Sequence, residues 1–202
     1  QGESNVGNYK EYQSLFTGMI TDWREKLGQK LPFYFVQIAP FRYTPEAESH
    51  ALREAQRKTL ALEKTGMAVT LDIGEEDDIH PANKQDVGKR LARLALANDY
   101  GKSEVLASGP LYKSQKLFPS YIDLDFDYVG SGLRAKKSLQ GFEIAGSDSV
   151  FYPATAKIMD DKVRVASRKV KNPKRVRYGW KNYFEATLFN AEGLPASSFQ
   201  TP

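Results

Sequence analysis

Residues 32–40 read PFYFVQIAP and residues 67–73 read MAVTLDI, and these two stretches decide the fold of the first half of the chain. Both are short and apolar at consecutive positions, which is typical of a strand buried on both faces of a parallel sheet. Amphipathic spacing predicts three helices around them, over residues 9–27, 44–64 and 83–98. Gly28 and Gly66 are predicted to end the first two helices, and Thr44 to cap the second. Alternating helices and strands indicate an α/β sheet between helices.

The predicted sheet is incomplete. Two strands are fewer than the roughly four to six that a stable sheet usually contains. We therefore expect residues upstream of Gln1 to complete it. No run approaches eighteen apolar residues, so no membrane-spanning helix is expected, and the polar start QGESNVGNYK does not resemble a signal peptide.

The second half of the chain has a different periodicity. Residues 121–128 read YIDLDFDY, so the apolar side chains from Ile122 to Tyr128 alternate with three aspartates, as in a half-buried antiparallel strand. Asp160 and Asp161 form a predicted hairpin tip. Further short strands are predicted over 141–144, 150–152, 156–159, 163–167, 176–180 and 186–189. The sequence thus predicts an α/β part over 1–104 and a β-sandwich domain over 105–202.

Composition excludes several classes of protein. The 202 residues are 41% hydrophobic, which is too apolar for a disordered chain, and the absence of cysteine excludes disulfides and a cysteine nucleophile. The net charge of +4 is weak evidence for a polyanionic partner. Nine Lys/Arg residues lie between Lys162 and Lys181, but the valines between them favour the outward face of strands over a nucleic-acid surface.

His80 is the first candidate for chemistry. It lies in DDIHP, directly after the second predicted strand, at the edge of an α/β sheet where ligands bind. Asp77, three residues earlier, is placed to orient its ring, and Asp78 and Asp72 are substitutes. Two other interpretations remain open: a solvated acidic loop, and a metal site built from Glu75, Glu76, Asp77 and His80. The other histidine, His50, is expected to be exposed.

The segment QGESN at the start of the chain is the second candidate. Gly2 allows the backbone to approach a ligand closely, and the side-chain amide of Asn5 can donate to a developing oxyanion. The alternative is a turn before a helix, in which Ser4, Asn5 or Asn8 caps the helix.

QGESN followed by DDIHPANKQDVGKRLA resembles the SGNH-type esterases, and specifically the sialate O-acetylesterases. The resemblance continues through DWREKLG, FYFVQIAPF, GPLYKS, GSGL, GFEIAG, VRYGW and EGLPASSF, and so covers essentially the whole chain. It implies a three-layer SGNH-hydrolase-like half, incomplete without upstream residues, followed by the β-sandwich-type domain.

The resemblance also implies roles for particular residues. Gly2 and Asn5 belong to the family's third block, in which Asn5 donates to the oxyanion hole. His80 is the general base and Asp77 orients it. The serine nucleophile belongs to a first block, roughly G-Q-S-N, which lies upstream of this chain. Ser4 imitates that block, but no strand precedes it to aim its hydroxyl. This chain alone is therefore expected to be inactive.

The implied function is hydrolysis of acetyl esters on sialic acid through a serine acyl-enzyme, without cofactor or metal. The alternatives are an acetylxylan or other glycan acetylesterase, a carbohydrate-binding protein that uses Tyr178 and Trp180, and a nucleic-acid binder, which is not favoured. For Tyr178 and Trp180, packing in the core of the β domain is favoured over contact with a sugar. Calcium binding by Asp123, Asp125 and Asp127 is weighed against a solvated strand face, which is favoured. Expected partners are an O-acetylated sugar or sialoglycan and the missing N-terminal portion. The family implies a periplasmic, cell-surface or secreted bacterial protein.

Overall fold

The chain forms two compact units in a computed structural model that describes residues 2–202. The first unit runs to Ser108 and also contains Lys181–Tyr183, and the second comprises Gly109–Trp180 and Phe184–Pro202. Residues 105–108 and Lys181–Tyr183 thus lie in the first unit, although the boundary drawn from the sequence assigned them to the second. The first unit therefore includes a short segment from a distant part of the chain.

Helices and strands alternate in the first unit in the predicted order. A 3-10 helix over Glu3–Asn8 leads directly into helix α1, Tyr9–Lys26. The later elements are β1 (Phe33–Val36), α2 (Ser49–Lys58), a 3-10 turn (Thr59–Ala61), β2 (Thr65–Ala68) and α3 (Lys84–Asn98). Strands β1 and β2 pair in parallel, with Phe33 opposite Thr65. Their carboxyl ends consequently lie at the same edge of the sheet.

Local capping fixes two helix ends, of which the sequence predicts the one at Gly28. Gly28 adopts a positive φ of 61° just after α1, and its N–H donates to the carbonyl of Glu25 at 3.1 Å. At the start of α3, the side-chain oxygen of Asn83 accepts from the N–H of Asp86 at 3.1 Å. Both contacts satisfy backbone groups that a helix end leaves unpaired.

The predicted limits of α2 are wrong at both ends. Pro45 lies in a turn closed by the N–H of Ala47 on the carbonyl of Thr44 at 3.0 Å, so the helix begins only at Ser49. Gly66 does not end this helix but lies within β2. A Cβ on Gly66 would lie 2.8 Å from the side chains of Tyr34 and Leu94, so the strand requires glycine for close packing.

Helix α1 carries a second apolar face. Tyr12 and Ile20 are buried, and the ring of Phe16 packs edge-on against Phe35 at 4.9 Å. Four large apolar side chains at about four-residue steps are instead exposed: Leu15, Met19, Trp23 and Leu27. We call these four residues the exposed stripe. Within residues 2–202, α1 and the other helices lack the length and apolar character needed to cross a membrane.

The second unit is built from antiparallel sheets. Its strands are β3 (Leu111–Leu117), β4 (Ile122–Asp127), β5 (Leu133–Ala135), β6 (Phe142–Ala145), β7 (Phe151–Pro153), β8 (Thr155–Met159), β9 (Lys162–Ala166), β10 (Arg175–Tyr178), β11 (Leu188–Asn190) and β12 (Phe199–Gln200). They form the sheets β3-β4-β9-β8 and β12-β10-β6-β7 and the pair β11-β5. The sequence missed β3, β5 and β12, since β3 (LYKSQKL) is mostly polar and the other two are very short.

The aspartates of β4 form a row of ion pairs. Asp123 contacts Arg164 at 2.8 Å, Asp125 contacts Lys162 at 2.9 Å and Asp127 contacts Lys113 at 2.8 Å. The alternation predicted for this strand is confirmed up to Phe126, because Ile122, Leu124 and Phe126 are buried. Each aspartate has a cation of this chain beside it, and Asp123 is itself buried while Asp127 is exposed, so the expected solvated face applies only to the end of the strand. Two of these cations, Lys162 and Arg164, belong to the basic run between Lys162 and Lys181.

Tyr178, for which the sequence favours core packing over contact with a sugar, has a fully buried side chain in the second unit. Its ring packs against Phe142 at 4.6 Å. Its hydroxyl accepts hydrogen bonds from the N–H groups of Thr187 at 2.8 Å and Leu188 at 3.0 Å. The ring is therefore a core element that a sugar does not reach.

Replacing Tyr178 by phenylalanine should destabilise the protein by about 1–3 kcal/mol, because two backbone N–H groups lose their acceptor. The measurement is the free energy of unfolding in urea. Tyr152→Phe is the matched control, since the Tyr152 hydroxyl makes no hydrogen bond within residues 2–202. Equal stability of the two variants would contradict a structural role for the Tyr178 hydroxyl.

Candidate active site

A cleft of about 260 Å³ lies at the carboxyl ends of β1 and β2. Val36–Ala39 form one wall and Thr70 and Ile73 another. The remaining walls come from Ile79, His80 and Pro81, from the start of α3, and from Glu3. The parallel pairing explains why these segments meet, because both strands deliver their following residues to the same edge. His80 is therefore placed where the sequence predicted it.

The QGESN segment reaches the same cleft through Glu3. Gly2 is buried and has a φ of 139°, and a Cβ there would lie 3.2 Å from the ring of Tyr12, so glycine is required. The N–H of Asn5 donates to the carbonyl of Gly2 at 2.7 Å, which closes a tight turn. Asn5 is half-buried and is not part of the cleft walls, although it lies two residues after Glu3.

The alternative capping role for this segment finds no support. Neither the 3-10 helix nor α1 has a side-chain hydrogen bond from its N-cap residue, which is Gly2 for the 3-10 helix and Asn8 for α1. Ser4 is exposed within the 3-10 helix, which differs from the strand-to-helix turn of a nucleophile elbow. The structure thus leaves the Asn5 side chain without a competing structural role among the described contacts.

The loop that carries His80, residues 74–82, is held at both ends; we call it the histidine loop. At its start, a Cβ on Gly74 would lie 2.5 Å from the carbonyl oxygen of Pro40, so the two backbones are in close contact. At its end, the carboxylate of Glu75 accepts from the N–H of Ala82 at 2.7 Å. The loop is therefore a folded structure and not merely a solvated acidic run.

Arg42 binds the middle of the histidine loop. Its N–H donates to the carbonyl of Glu76 at 2.9 Å. Its guanidinium contacts the carboxylates of Glu76 at 2.9 Å and Asp77 at 3.0 Å. These contacts, first the hydrogen bond to Glu76 and then the charge of Asp77, raise the pKa of Arg42. Two of the four acidic side chains in this loop therefore share one guanidinium.

The predicted acids of His80 have separate partners. Asp77 is exposed and paired with Arg42, and the carboxylate of Asp78 accepts from the backbone N–H of His80 at 2.8 Å. Within residues 2–202, no hydrogen bond joins either carboxylate to the His80 ring. The assignment of Asp77 or Asp78 as the orienting acid remains a prediction.

Asp72, the third candidate acid, is fully engaged elsewhere. Its two carboxylate oxygens accept from the guanidinium of Arg90 at 2.7 Å each. The same guanidinium donates to the carbonyl of Val69 at 2.6 Å, and both side chains are almost buried. This bidentate pair attaches α3 to the segment after β2, so Asp72 shapes the cleft and does not serve His80.

The side chains proposed for a metal site do not converge. Glu75 binds a backbone N–H, and Glu76 and Asp77 bind Arg42. Across the described part of the chain, no group of three or more histidine, aspartate or glutamate side chains is arranged to hold a metal ion.

Trp180, the remaining candidate for sugar contact, is half-buried in the second unit.

Sequence reasoning missed Glu3 and Arg42. Glu3 stood inside the QGESN segment, so its position beside the predicted oxyanion residue was a usable signal. Arg42 follows the first strand at the edge where site residues gather, but nothing in the sequence pairs it with acids 34 and 35 positions later.

Comparison with known proteins identifies the first part of the chain. Residues 1–97 match the family described as "Carbohydrate esterase, sialic acid-specific acetylesterase". The first 97 residues belong to this carbohydrate esterase family. The match includes both QGESN and the histidine loop.

Two mammalian relatives and one solved structure extend the comparison. The chain is 32% identical over 149 residues to the sialate O-acetylesterase of Mus musculus, and 30% identical over 166 residues to that of Homo sapiens. These alignments cover 63% and 72% of the chain. A crystal structure of a carbohydrate acetylesterase from Xanthomonas citri is 44% identical, with a TM-score of 0.89 over 95% of the chain.

The chain spans only part of each of these relatives. It covers 46% of the Xanthomonas protein, 28% of the mouse protein and 32% of the human protein. Similarity to the Xanthomonas structure supports a carbohydrate esterase fold with helices and several antiparallel sheets.

Replacing Asp72 by alanine should destabilise the first unit by about 3 kcal/mol, because the nearly buried guanidinium of Arg90 loses its counter-charge. The measurement is chemical denaturation of the chain. Asp22→Ala removes an exposed partner of Lys26 and should change stability by less than about 0.5 kcal/mol. A loss no larger than that of Asp22→Ala would show that Asp72 does not hold α3 in place.

Proposed function

We propose that this chain supplies the general base and an oxyanion donor of a carbohydrate O-acetylesterase. One observation carries the proposal: the QGESN segment and His80 contribute to one cleft, at the carboxyl ends of parallel strands, within residues that match an acetylesterase family. Acyl transfer requires a base beside a nucleophile and donors for the developing oxyanion. The cleft offers the base directly and the donor segment through Glu3.

In the proposed reaction His80 moves protons. A serine hydroxyl attacks the acetyl carbonyl carbon, and its proton passes to the imidazole of His80. The tetrahedral intermediate expels the sugar hydroxyl, which takes the proton back from His80. The imidazole then accepts a proton from water as the water attacks the acyl-enzyme. The second tetrahedral intermediate releases acetate when its bond to the serine oxygen breaks, and the serine oxygen takes the proton back from His80. His80 is exposed, so its ring is accessible for this role.

Asn5 is proposed to stabilise the negative charge that develops on the acetyl carbonyl oxygen. Its side-chain amide donates to the carbonyl oxygen as that oxygen becomes negative, together with backbone donors from other segments. Gly2 supports this arrangement because its positive φ forms the tight turn on which Asn5 is mounted. Asp77 or Asp78 orients His80; Asp78 already accepts from the His80 backbone, and Asp77 has the D-x-x-H spacing.

The nucleophilic serine lies in a segment upstream of this chain, within the same protein. Two features support this part of the proposal. Strand β1 pairs only with β2 among the described strands, so one of its edges can accept a further parallel strand. The exposed stripe of α1 offers apolar area that further helices would cover. We propose that the upstream segment completes a three-layer SGNH-like domain, with the antiparallel sheets forming an attached β-sandwich.

The proposed substrate is an O-acetylated sugar, with acetylated sialic acid as the specific choice. The family description and the names of the mammalian relatives support sialic acid, and the Xanthomonas relative supports acetylated carbohydrate more broadly. An acetylxylan or other plant glycan is the second candidate. Export to the periplasm, cell surface or medium fits such polymeric or cell-surface substrates.

The competing binding functions lose support from the structure. A carbohydrate-binding role for Tyr178 is disfavoured by complete burial of its ring, which leaves Trp180 as the remaining aromatic candidate. A nucleic-acid role is disfavoured because Lys162, Arg164 and Arg177 of the basic run are paired with carboxylates. Glycan binding lost in Trp180→Ala, without acetate release from the complete protein, would favour the binding module.

His80→Ala should lower acetate release by at least about 10³-fold in a protein that joins this chain to the proposed serine segment, since no other group takes the serine proton. The assay measures acetate from an acetylated sialic acid and from acetylated xylan. His50→Gln replaces the second histidine and should retain activity. Full activity of His80→Ala would reject the esterase proposal.

Asn5→Ala should lower kcat by about 10²- to 10³-fold with little change in KM, because the amide acts on charge that exists only in the transition state. Steady-state kinetics in the same protein measure both constants. Asn8→Ala is the matched control, since Asn8 makes no side-chain bond at the start of α1. A change confined to KM would instead assign Asn5 to substrate binding.

A further inference from the structure

The segment Lys181–Tyr183 reaches the first unit from a distant part of the chain, and we call it the latch. Its central residue, Asn182, caps helix α2. The side-chain oxygen of Asn182 accepts from the N–H of Ser49 at 3.0 Å and from the Ser49 hydroxyl at 2.9 Å. Helix α2 has no side-chain cap of its own at Glu48, so this cap comes from 133 residues away.

Arg53 binds the main chain of the latch through its guanidinium. Its side chain is completely buried, and its guanidinium donates to the carbonyl of Asn182 at 3.3 Å and to the carbonyl of Lys181. Burial lowers the pKa of Arg53 to about 10, so the group is still charged at neutral pH. A buried guanidinium without hydrogen-bond acceptors is strongly unfavourable. The two carbonyl groups of the latch that accept from Arg53 are therefore held in place.

Asn182 also binds both ends of the loop 41–44. Its carbonyl accepts from the N–H of Phe41 at 3.4 Å, and its side-chain NH₂ donates to the carbonyl of Thr44 at 3.1 Å. Arg42 lies between these two points. The loop that presents Arg42 is thus held by a single residue of the latch.

Arg42 in turn holds the histidine loop through Glu76 and Asp77, as described above. The contacts form a continuous path from Asn182 through the loop 41–44 to the residues directly before His80. Every contact along this path lies within the first unit.

We propose that Asn182 is a positioning residue for His80, acting through Arg42. The catalytic consequence rests on the proposed function, whereas the structural coupling does not. The latch sets where Arg42 stands, and Arg42 sets the position of Asp77 and the middle of the histidine loop. A residue of the second half of the sequence thereby controls the predicted catalytic loop of the first.

Asn182→Asp separates this role from simple stability. An aspartate keeps the oxygen that caps Ser49, so α2 should remain folded, but it cannot donate to the carbonyl of Thr44. Asn182→Ala removes both contacts. Arg42→Ala removes the guanidinium contacts with Glu76 and Asp77 and keeps the backbone bond to Glu76. Lys30→Ala, which breaks the exposed pair with Glu63 in the same unit, is the control.

The test is NMR spectroscopy of the 202-residue chain, in which His50 and His80 are the two histidines and His50→Gln assigns the ring signals. Asn182→Asp and Arg42→Ala should both shift the His80 ring signals. Both should also accelerate amide exchange at residue 42 and within residues 74–82 by about tenfold, because Asn182→Asp releases the loop 41–44 and Arg42→Ala removes the guanidinium contacts of the histidine loop. The double variant should be no more perturbed than Arg42→Ala alone, as expected for one path. Lys30→Ala should match the parent chain.

An Asn182→Asp spectrum identical to the parent in the histidine loop would overturn the proposal, as would additive effects in the double variant. In the protein that carries the serine segment, Asn182→Asp should lower kcat by about tenfold and leave KM nearly unchanged. A shift in the pH profile of kcat should accompany it. If His80→Ala leaves acetate release intact, the proposed function fails, while the NMR coupling still decides the role of Asn182.

Discussion

The parallel pairing of β1 with β2 is the constraint on which the site depends. Because both strands run in the same direction, the residues after Val36 and after Ala68 emerge at one edge of the sheet. That edge holds the cleft, and the segments that leave it carry Arg42 and His80. The pair formed by Arg90 and Asp72 then fixes α3 against the segment after β2. An antiparallel pairing of the same strands would place these segments at opposite ends.

Each acidic side chain of the histidine loop has a partner within the chain, which explains how a run of four acids can form an ordered loop. Glu75 and Asp78 accept from backbone N–H groups, and Glu76 and Asp77 face Arg42. The aspartates of β4 follow the same rule with lysine and arginine partners across the sheet. Acidic residues that resemble a ligand site in the sequence are thus engaged in hydrogen bonds and ion pairs within the chain. The net charge of +4 says correspondingly little about partners.

The order of elements in the first unit and the location of His80 could be predicted from the sequence, because apolar runs and amphipathic spacing act locally. The start of α2 could not. Thr44 and Pro45 form a favourable local helix start, but the structure begins the helix at Ser49, where Asn182 supplies the cap from 133 residues away. Such a partner leaves no trace in the local pattern.

Core packing was the favoured expectation for Tyr178, whereas the exposure of Trp23 could not be predicted from the sequence. Tyr178 and Trp23 both look like ordinary apolar positions of their elements. The first is fully buried with a satisfied hydroxyl, and the second is exposed on α1. Periodicity identifies the faces of an element but not what covers each face. The pairing of Asp77 with Arg42 was missed for the same reason, since it joins two loops that meet only through the parallel sheet.

The central claim is that His80 and Asn5 act on one acyl group. It is tested most directly by a crystal structure of the serine-containing protein after reaction with a phosphonate ester. We expect a phosphonylated serine, with its phosphoryl oxygen about 3 Å from the amide nitrogen of Asn5 and with His80 about 3 Å from the serine oxygen. A phosphonylated serine with the side chains of residues 5 and 80 both remote from the adduct would contradict it.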